Sequence, residues 1–422
     1  MSLNQTPQSN RTHIAFFGQT NAGKSSLINA VTQQDIALVS DVSGTTTDPV
    51  YKAMETTTDP VYKAMELLPL GPVMLIDTAG LNDTTQLGAL RKQKTLEVLN
   101  KTDLAVLVID SLHPNLDFEM KLVKTIQEKK VPLIGVLNKS DLNALDAHQL
   151  ESMSKDMGIS IYPVSSVTKE GIKELKIAMS LALPSDEDQF KIVGDLIHPG
   201  DFVVLVTPID KAAPKGRLIL PQQQTIRDIL ESDAIAIVCK EHELRETLNR
   251  LGTKPKLIIT DSQAFLKVAA DTPKDIPMTS FSILFARHKG DLIQLVKGAK
   301  AIEALKDGDK VLISEGCTHH RQSDDIGTVK IPRWLKQLTG KHLHFDYVSG
   351  VSFTDSAKDY ALIIHCGACM LNKKAMAHRL ETVEHLQVPI VNYGVMIAYV
   401  HGILDRALEP FPLAKMIWDE VN

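Results

Sequence analysis

Short aliphatic runs recur along the chain, each closed by polar turn residues and followed by an apolar pattern of helical spacing. In the first part they lie at 14–17, 61–68 (a mixed stretch broken by Lys63 and Glu66), 73–76, 104–109, 131–137 and 159–164. Further runs follow at 202–206, 234–238 and 257–260, and again at 309–314 and 360–364. Unbroken apolar runs of this length suit strands buried on both faces, as in parallel sheets covered by helices. The intervening segments, among them 26–31, 222–230, 242–251 and 371–386, carry helical spacing. Strands alternating with helices predict an α/β protein with mostly parallel sheets. Two polar, proline-containing breaks, Leu183-Pro-Ser-Asp-Glu-Asp188 and Asp271-Thr-Pro-Lys-Asp-Ile-Pro277, divide it into domains at 1–184, 185–272 and 273–422.

Composition changes this picture little. The 422 residues exceed one hydrophobic core, and 44% hydrophobic with 23% charged residues is ordinary for a globular protein. A net charge of -5 argues against nucleic acid as the main partner. No apolar run reaches the roughly 20 residues that span a bilayer, and the polar start 1–12 lacks a signal-peptide core, so a cytoplasmic protein away from membranes is expected. The four cysteines are unevenly placed. Cys239 ends an aliphatic run and reads as a core side chain, whereas Cys317, Cys366 and Cys369 gather in the last quarter. In a reducing compartment such a group suits a metal site better than disulfides.

The first domain carries the clearest chemistry. Gly18-Gln-Thr-Asn-Ala-Gly-Lys-Ser25 stands between a strand and a helix, the context a phosphate-binding loop needs. Its glycines let consecutive N–H groups, over Gly18, Asn21, Ala22, Gly23, Lys24, Ser25 and Ser26, point at phosphate oxygens at a helix N-terminus. Lys24 would reach the β- and γ-phosphates, and the Ser25 hydroxyl would hold Mg²⁺. Asp77-Thr-Ala-Gly80 closes the third run: Asp77 suits the Mg²⁺ shell and the Gly80 N–H can sense the γ-phosphate. The 131–137 run leads to Asn138-Lys-Ser-Asp141, where a carboxylate can accept both guanine edge donors while Lys139 packs over the base. After the next run, backbone N–H groups at Ser165-Ser166 could bind the guanine carbonyl.

Together these motifs resemble the GTPase domain of the Era and TrmE-like class, over residues 11–183. Leu81 follows Asp-x-x-Gly where many small GTPases have glutamine, so slow unassisted hydrolysis is expected. Asn21 stands where potassium-activated relatives of TrmE ligate K⁺ beside the phosphates. The 11 residues from Thr45 to Glu55 are repeated without change from Thr56 to Glu66, so one copy is expected to pair as strand and the other to loop out. Relatives complete the Mg²⁺ shell with a threonine of a Gly-Thr-Thr sequence, which favours Thr46; continuity with the 61–68 strand favours Thr57. Thr46 is the expected Mg²⁺ ligand. The middle segment shows sheet architecture without catalytic groups, reads as a self-association domain, and opens a helix with Gln222-Gln-Gln224, read as solvated.

In the last third, two strands run directly into metal-type residues: Glu315-Gly-Cys317-Thr-His319-His320 and His365-Cys366-Gly-Ala-Cys369. Ligands of open parallel sheets bind at the carboxyl ends of strands, so the two groups can converge. Three thiolates with nearby histidines suit zinc or an iron–sulfur cluster. His342 and His344 read as surface residues.

The series Cys317-x-His319, 45 residues, then His365-Cys-x-x-Cys369, joined to a TrmE-like GTPase, resembles the maturation GTPase of iron-only hydrogenase, the HydF family. The closing stretch from Asn392 to Phe411 resembles that family's C-terminus. The resemblance implies a P-loop GTPase domain followed by a dimerisation domain and a domain with a 4Fe-4S cluster, the chain forming a homodimer or higher oligomer. GTP, Mg²⁺ and K⁺ would serve the first domain; Cys317, Cys366 and Cys369, with His319 and His365, would serve the cluster. It further implies a scaffold that receives a transient 2Fe precursor from radical-enzyme maturases and delivers it to apo-hydrogenase. The rival reading is a TrmE- or Era-like GTPase of tRNA modification or ribosome assembly with a structural zinc site.

Overall fold

The computed structural model describes residues 6–33, 60–68, 70–79, 94–113, 116–183, 191–209, 218–316, 325–350 and 357–420. They fall into two compact units, residues 1–185 and 186–422. Among them, no helix is long and apolar enough to cross a membrane.

The first unit is a six-stranded sheet. Its strands are β1 (Thr12–Phe17), β2 (Val61–Leu67), β3 (Gly71–Asp77), β4 (Leu104–Asp110), β5 (Leu133–Asn138) and β6 (Ile161–Pro163), in the order β2-β3-β1-β4-β5-β6. Only the β2–β3 pair is antiparallel. β4 is buried through Ile109, as a central parallel strand covered on both faces must be, and helices Lys24–Gln33 and Asp117–Glu128 supply cover. Edge strand β2 exposes Val61 and Tyr62 and comes from the second copy of the repeat, paired Val61 with Asp77. The first copy lies outside the described residues.

The second unit holds two four-stranded parallel sheets. The first combines β7 (Phe202–Val206), β8 (Ile235–Cys239), β9 (Leu257–Thr260) and β10 (Met278–Ser280) in the order β10-β9-β7-β8. The second combines β11 (Lys310–Glu315), β12 (His344–Ser349), β13 (Leu362–His365) and β14 (Ile390–Asn392) in the order β12-β11-β13-β14. One apolar cluster runs through both, from Val203 to Trp418, with helix Phe281–Lys289 buried between them through Phe281, Ile283, Leu284 and Phe285. Cys239 packs in this cluster and His342 and His344 are exposed. Gln222 departs from the solvated reading: it is 3% exposed, and its side-chain oxygen accepts from the Ile219 N–H, closing the start of helix Leu220–Glu231. An orphan helix donor needs a partner when buried, and glutamine three residues on supplies one.

Candidate functional site

In the first unit the chain leaves β1 at Phe17 and turns through the glycine loop into helix Lys24–Gln33. Gly18 has φ 148°, and a Cβ there would stand 2.3 Å from the Val108 carbonyl oxygen of β4. Gly23 has φ 87°, and its Cβ would meet the Asn138 amide nitrogen at 2.2 Å. Both glycines are therefore demanded by neighbouring strands as much as by phosphate. Asn138, at the end of β5 and 1% exposed, donates to the Ala22 carbonyl at 2.9 Å and accepts from the Ser166 hydroxyl at 2.8 Å and N–H at 3.2 Å. It thus ties the glycine loop to the loop at Ser165-Ser166, where base binding is expected.

Lys139 has φ 63° and places its ammonium 2.6 Å from Asp110 Oδ2; Asp141 is exposed. The Ser165 N–H donates to Glu170 O at 3.0 Å, so a guanine carbonyl must take a donor at Ser165-Ser166 from an internal partner. Asn21, with φ 65°, and Ser26 are exposed at the loop.

Lys24 is 7% exposed, with its ammonium folded onto the Gly18 and Gln19 carbonyls at 3.1 and 2.7 Å. Burial lowers its pKa to about 8, against the pull of Asp77. Ser25 Oγ donates to Asp77 Oδ2 at 2.5 Å, so the two oxygens assigned to Mg²⁺ meet. Asp77 Oδ1 is buried with no hydrogen-bond partner among the described residues, and burial raises the carboxyl's pKa. An orphaned carboxylate oxygen beside a hydroxyl fits a divalent cation, which would satisfy both. Thr46 and Gly80 lie outside the described residues. The sequence reading missed Glu119, which is 3% exposed and accepts from the Gln19 side chain at 2.9 Å. An acidic residue in a helix's first turn gives no sign of that contact.

In the second unit, β11 and β13 lie side by side with Ser314 opposite His365, so their carboxyl ends coincide. Cys366 follows β13, and its Sγ accepts from the Gly316 N–H at 3.1 Å and the Ala368 N–H at 3.5 Å. Burial pushes this thiol up, with both N–H groups opposing. The Cys366–Cys369 loop then passes through Ala368, at φ 53°, to Asn372, which caps helix Lys373–His385 by accepting from Ala375 N–H at 3.0 Å.

His365 is fully buried with both ring nitrogens engaged: Nδ1 on the Cys366 carbonyl at 2.8 Å and Nε2 on Arg379 Nη1 at 2.7 Å. Burial, then the Arg379 charge, brings its pKa to about 3. The imidazole is therefore neutral, donating from Nδ1 and accepting at Nε2. Cys317 and His319 lie outside the described residues. Among the described residues, no three His, Cys, Asp or Glu side chains form a metal-type group.

Three buried groups here are not among the expected ligands, and two of them, Lys289 and Arg379, carry no signal in the sequence. Lys289 reaches the carbonyls of Ala368, Cys369 and Leu371. Arg379, 2% exposed, also donates to Gly350 O at 2.6 Å and Ser314 Oγ at 3.4 Å. Glu315, 3% exposed, accepts from the Tyr393 hydroxyl at 3.2 Å. Arg379 joins β11, β13 and the end of β12, so Arg379→Met should cost about 2–4 kcal/mol through unpaired buried acceptors. A calorimetric melt should show the second unit's Tm lowered by roughly 5–10 °C; an unchanged Tm would mean these bonds contribute nothing net.

A phosphate loop after β1, Asp-x-x-Gly from the end of β3 and Asn-Lys-x-Asp from the end of β5, followed by two parallel-sheet modules, define a P-loop GTPase with an added cysteine-bearing region. Family models divide the chain likewise: 50S ribosome-binding GTPase over 13–139, hydrogen maturase F dimerization domain over 192–290 and hydrogen maturase F tetramerization domain over 293–410. The chain belongs to the HydF family.

Among curated relatives, the tRNA modification GTPase MnmE of Chromobacterium violaceum is 33% identical over 165 residues, 39% of this chain and 33% of that protein. MnmE of Thermoanaerobacter sp. (strain X514) is 35% identical over 164 residues, 38% of this chain and 32% of that protein. The match thus spans about a third of these relatives' length. Similar solved structures include the FeoB G-domain of Methanococcus jannaschii, with TM-score 0.31, 24% identity and coverage of 41% of this chain and 97% of that one. A tyrosine-to-alanine variant of Aquifex aeolicus Era bound to GDP·AlF4⁻ gives TM-score 0.33 and 18% identity, covering 57% of this chain and 98% of that one.

Proposed function

We propose that this protein is a GTP-hydrolysing switch and carrier in hydrogenase maturation, and that a 4Fe-4S cluster in its last module helps hold a diiron precursor. The observation that carries the cluster is the hydrogen bond from the Gly316 N–H to Cys366 Sγ at 3.1 Å. It joins two strand ends, one followed by Cys317 and the other by the Cys366–Cys369 pair. N–H donors to sulfur and a nearby buried cation suit an anionic thiolate-bound cluster better than a neutral thiol. Cys317, Cys366 and Cys369 would hold it, and a cluster with an open iron would let a 2Fe guest dock. His319 would serve as a further ligand, whereas His365 would have to release Cys366 O or Arg379 to ligate iron.

The dimerisation and cluster modules would bring copies of the chain together, with radical-enzyme maturases supplying the precursor and apo-hydrogenase receiving it. GTP hydrolysis would bias partner affinity between two states. The direct test is anaerobic reconstitution with iron and sulfide followed by iron analysis and EPR. About four irons per chain with a reduced four-iron signal is expected; bound zinc without such a signal would sink the reading.

In the first unit, K⁺ beside the phosphates is assigned to Asn21, which stands exposed at the loop. GTP hydrolysis in K⁺ should exceed that in Na⁺ about tenfold or more, and Asn21→Ala should abolish the difference. Equal rates in the two salts for the unaltered protein would remove Asn21 from this role.

A further inference from the structure

Lys289 closes the helix Phe281–Lys289, which lies in the segment matched as the dimerization domain, yet its ammonium serves a loop of the segment matched as the tetramerization domain. It is 4% exposed, and its donors reach the carbonyls of Ala368 at 3.2 Å, Cys369 at 3.2 Å and Leu371 at 2.9 Å. A lysine ammonium has three N–H bonds, and here each has one carbonyl. Such matching compensates a buried cation that would otherwise be costly.

The clamped loop is itself strained. Ala368 has φ 53°, a left-handed conformation that L-residues with a Cβ adopt at a cost, and it is 4% exposed. Gly290, the next residue after the clamp, lets the helix end close on the helix Lys373–His385: a Cβ there would stand 3.0 Å from Leu380. Burial lowers the ammonium's pKa to about 8, and the Cys369 and Cys366 charges oppose that shift.

We propose that Lys289 is a positioning residue for the cluster, its ammonium fixing the strained Cys366–Cys369 loop and supplying a positive charge that raises the cluster's reduction potential. This rests on the cluster reading above. Cluster potentials respond to nearby charge and to the hydrogen bonding around the sulfurs, so both parts of the role have readouts apart from GTP hydrolysis.

The test uses the full chain, Lys289→Met, Lys289→Arg and the double variant Lys289→Met with Ala368→Gly, the glycine relieving the left-handed strain should the single variant lose its loop. In apo protein, hydrogen exchange over residues 366–371 should accelerate at least tenfold in Lys289→Met and return towards the starting rate in the double variant; unchanged exchange overturns the clamp. After reconstitution, an EPR-monitored titration should show the reduced-to-oxidised ratio at the starting protein's midpoint falling about tenfold in Lys289→Met or the double variant, a 59 mV shift for a one-electron couple. Lys289→Arg should stay within threefold. A double variant with the starting midpoint overturns the charge part. A starting protein that forms no four-iron signal defeats the cluster reading and the charge with it, while the exchange experiment still decides the clamp.

Discussion

Lys24→Ala is expected to lower kcat/KM for GTP about a thousandfold, roughly 4 kcal/mol of lost transition-state stabilisation. Phosphoryl transfer depends on positioning and charge compensation, and Lys24 is a buried cation of the loop that would meet the β- and γ-phosphates on the proposed reading. Its contacts explain how the cation is stored: two loop carbonyls, Gly18 and Gln19, hold the ammonium at 3.1 and 2.7 Å. Arriving phosphates would take over that charge. A rate within threefold of the starting protein in single-turnover hydrolysis would show that another group does this work.

The same residue sets a pH signature with two opposite slopes. Burial lowers its pKa to about 8 from an ordinary value near 10.5. Between these values the unfolded chain binds more protons than the folded one, so this group's contribution makes stability rise with pH across the window. Nucleotide affinity moves the other way, because the polyphosphate needs the ammonium: above about pH 8 it should weaken towards tenfold per pH unit. Lys24→Ala should flatten both slopes, as followed by denaturant melts and nucleotide titration. A rising affinity above pH 8 would contradict the assignment.

What the sequence disclosed divides along a physical line. Strands covered on both faces leave unbroken apolar runs, so β1, β3, β4, β7, β9 and β11 could be read directly, as could the Gly18–Ser25 loop between strand and helix. Three-residue strands such as β10 and β14 bury too few positions to leave a periodic mark, and half-exposed β12 has no apolar run. At the sites, motif residues were legible but their supports were not. Asn138 was readable as part of a base-recognition motif, whereas its bridge from Ala22 to Ser166 depends on strands meeting across 116 positions of chain. Lys289 and Arg379 resemble ordinary helix-surface cations until the fold buries them among carbonyls and His365. Gln222 shows the converse, a polar residue in a polar run drawn inward by an unpaired helix N–H.

Replacing one sulfur should have an all-or-none effect that the GTPase unit does not feel. In Cys366→Ser the four-iron EPR signal should vanish and bound iron fall to background, while GTP hydrolysis stays within twofold. Two observations set this expectation. Cys366 receives N–H groups from both Gly316 and Ala368, one from each neighbouring strand-end segment, so it occupies the junction of the site. A serine hydroxyl there is a shorter, harder and less acidic donor than a thiolate, poorly matched to iron in a sulfide-bridged core. Cys239→Ser is the control, because that side chain ends β8, packs into the apolar cluster, and has its thiol raised by burial. It should keep the signal and lose only stability, by about 1–2 kcal/mol for a polar group placed among apolar neighbours. If iron persists in Cys366→Ser and disappears in Cys239→Ser, the cluster is held elsewhere and the junction of β11 and β13 is a structural seam.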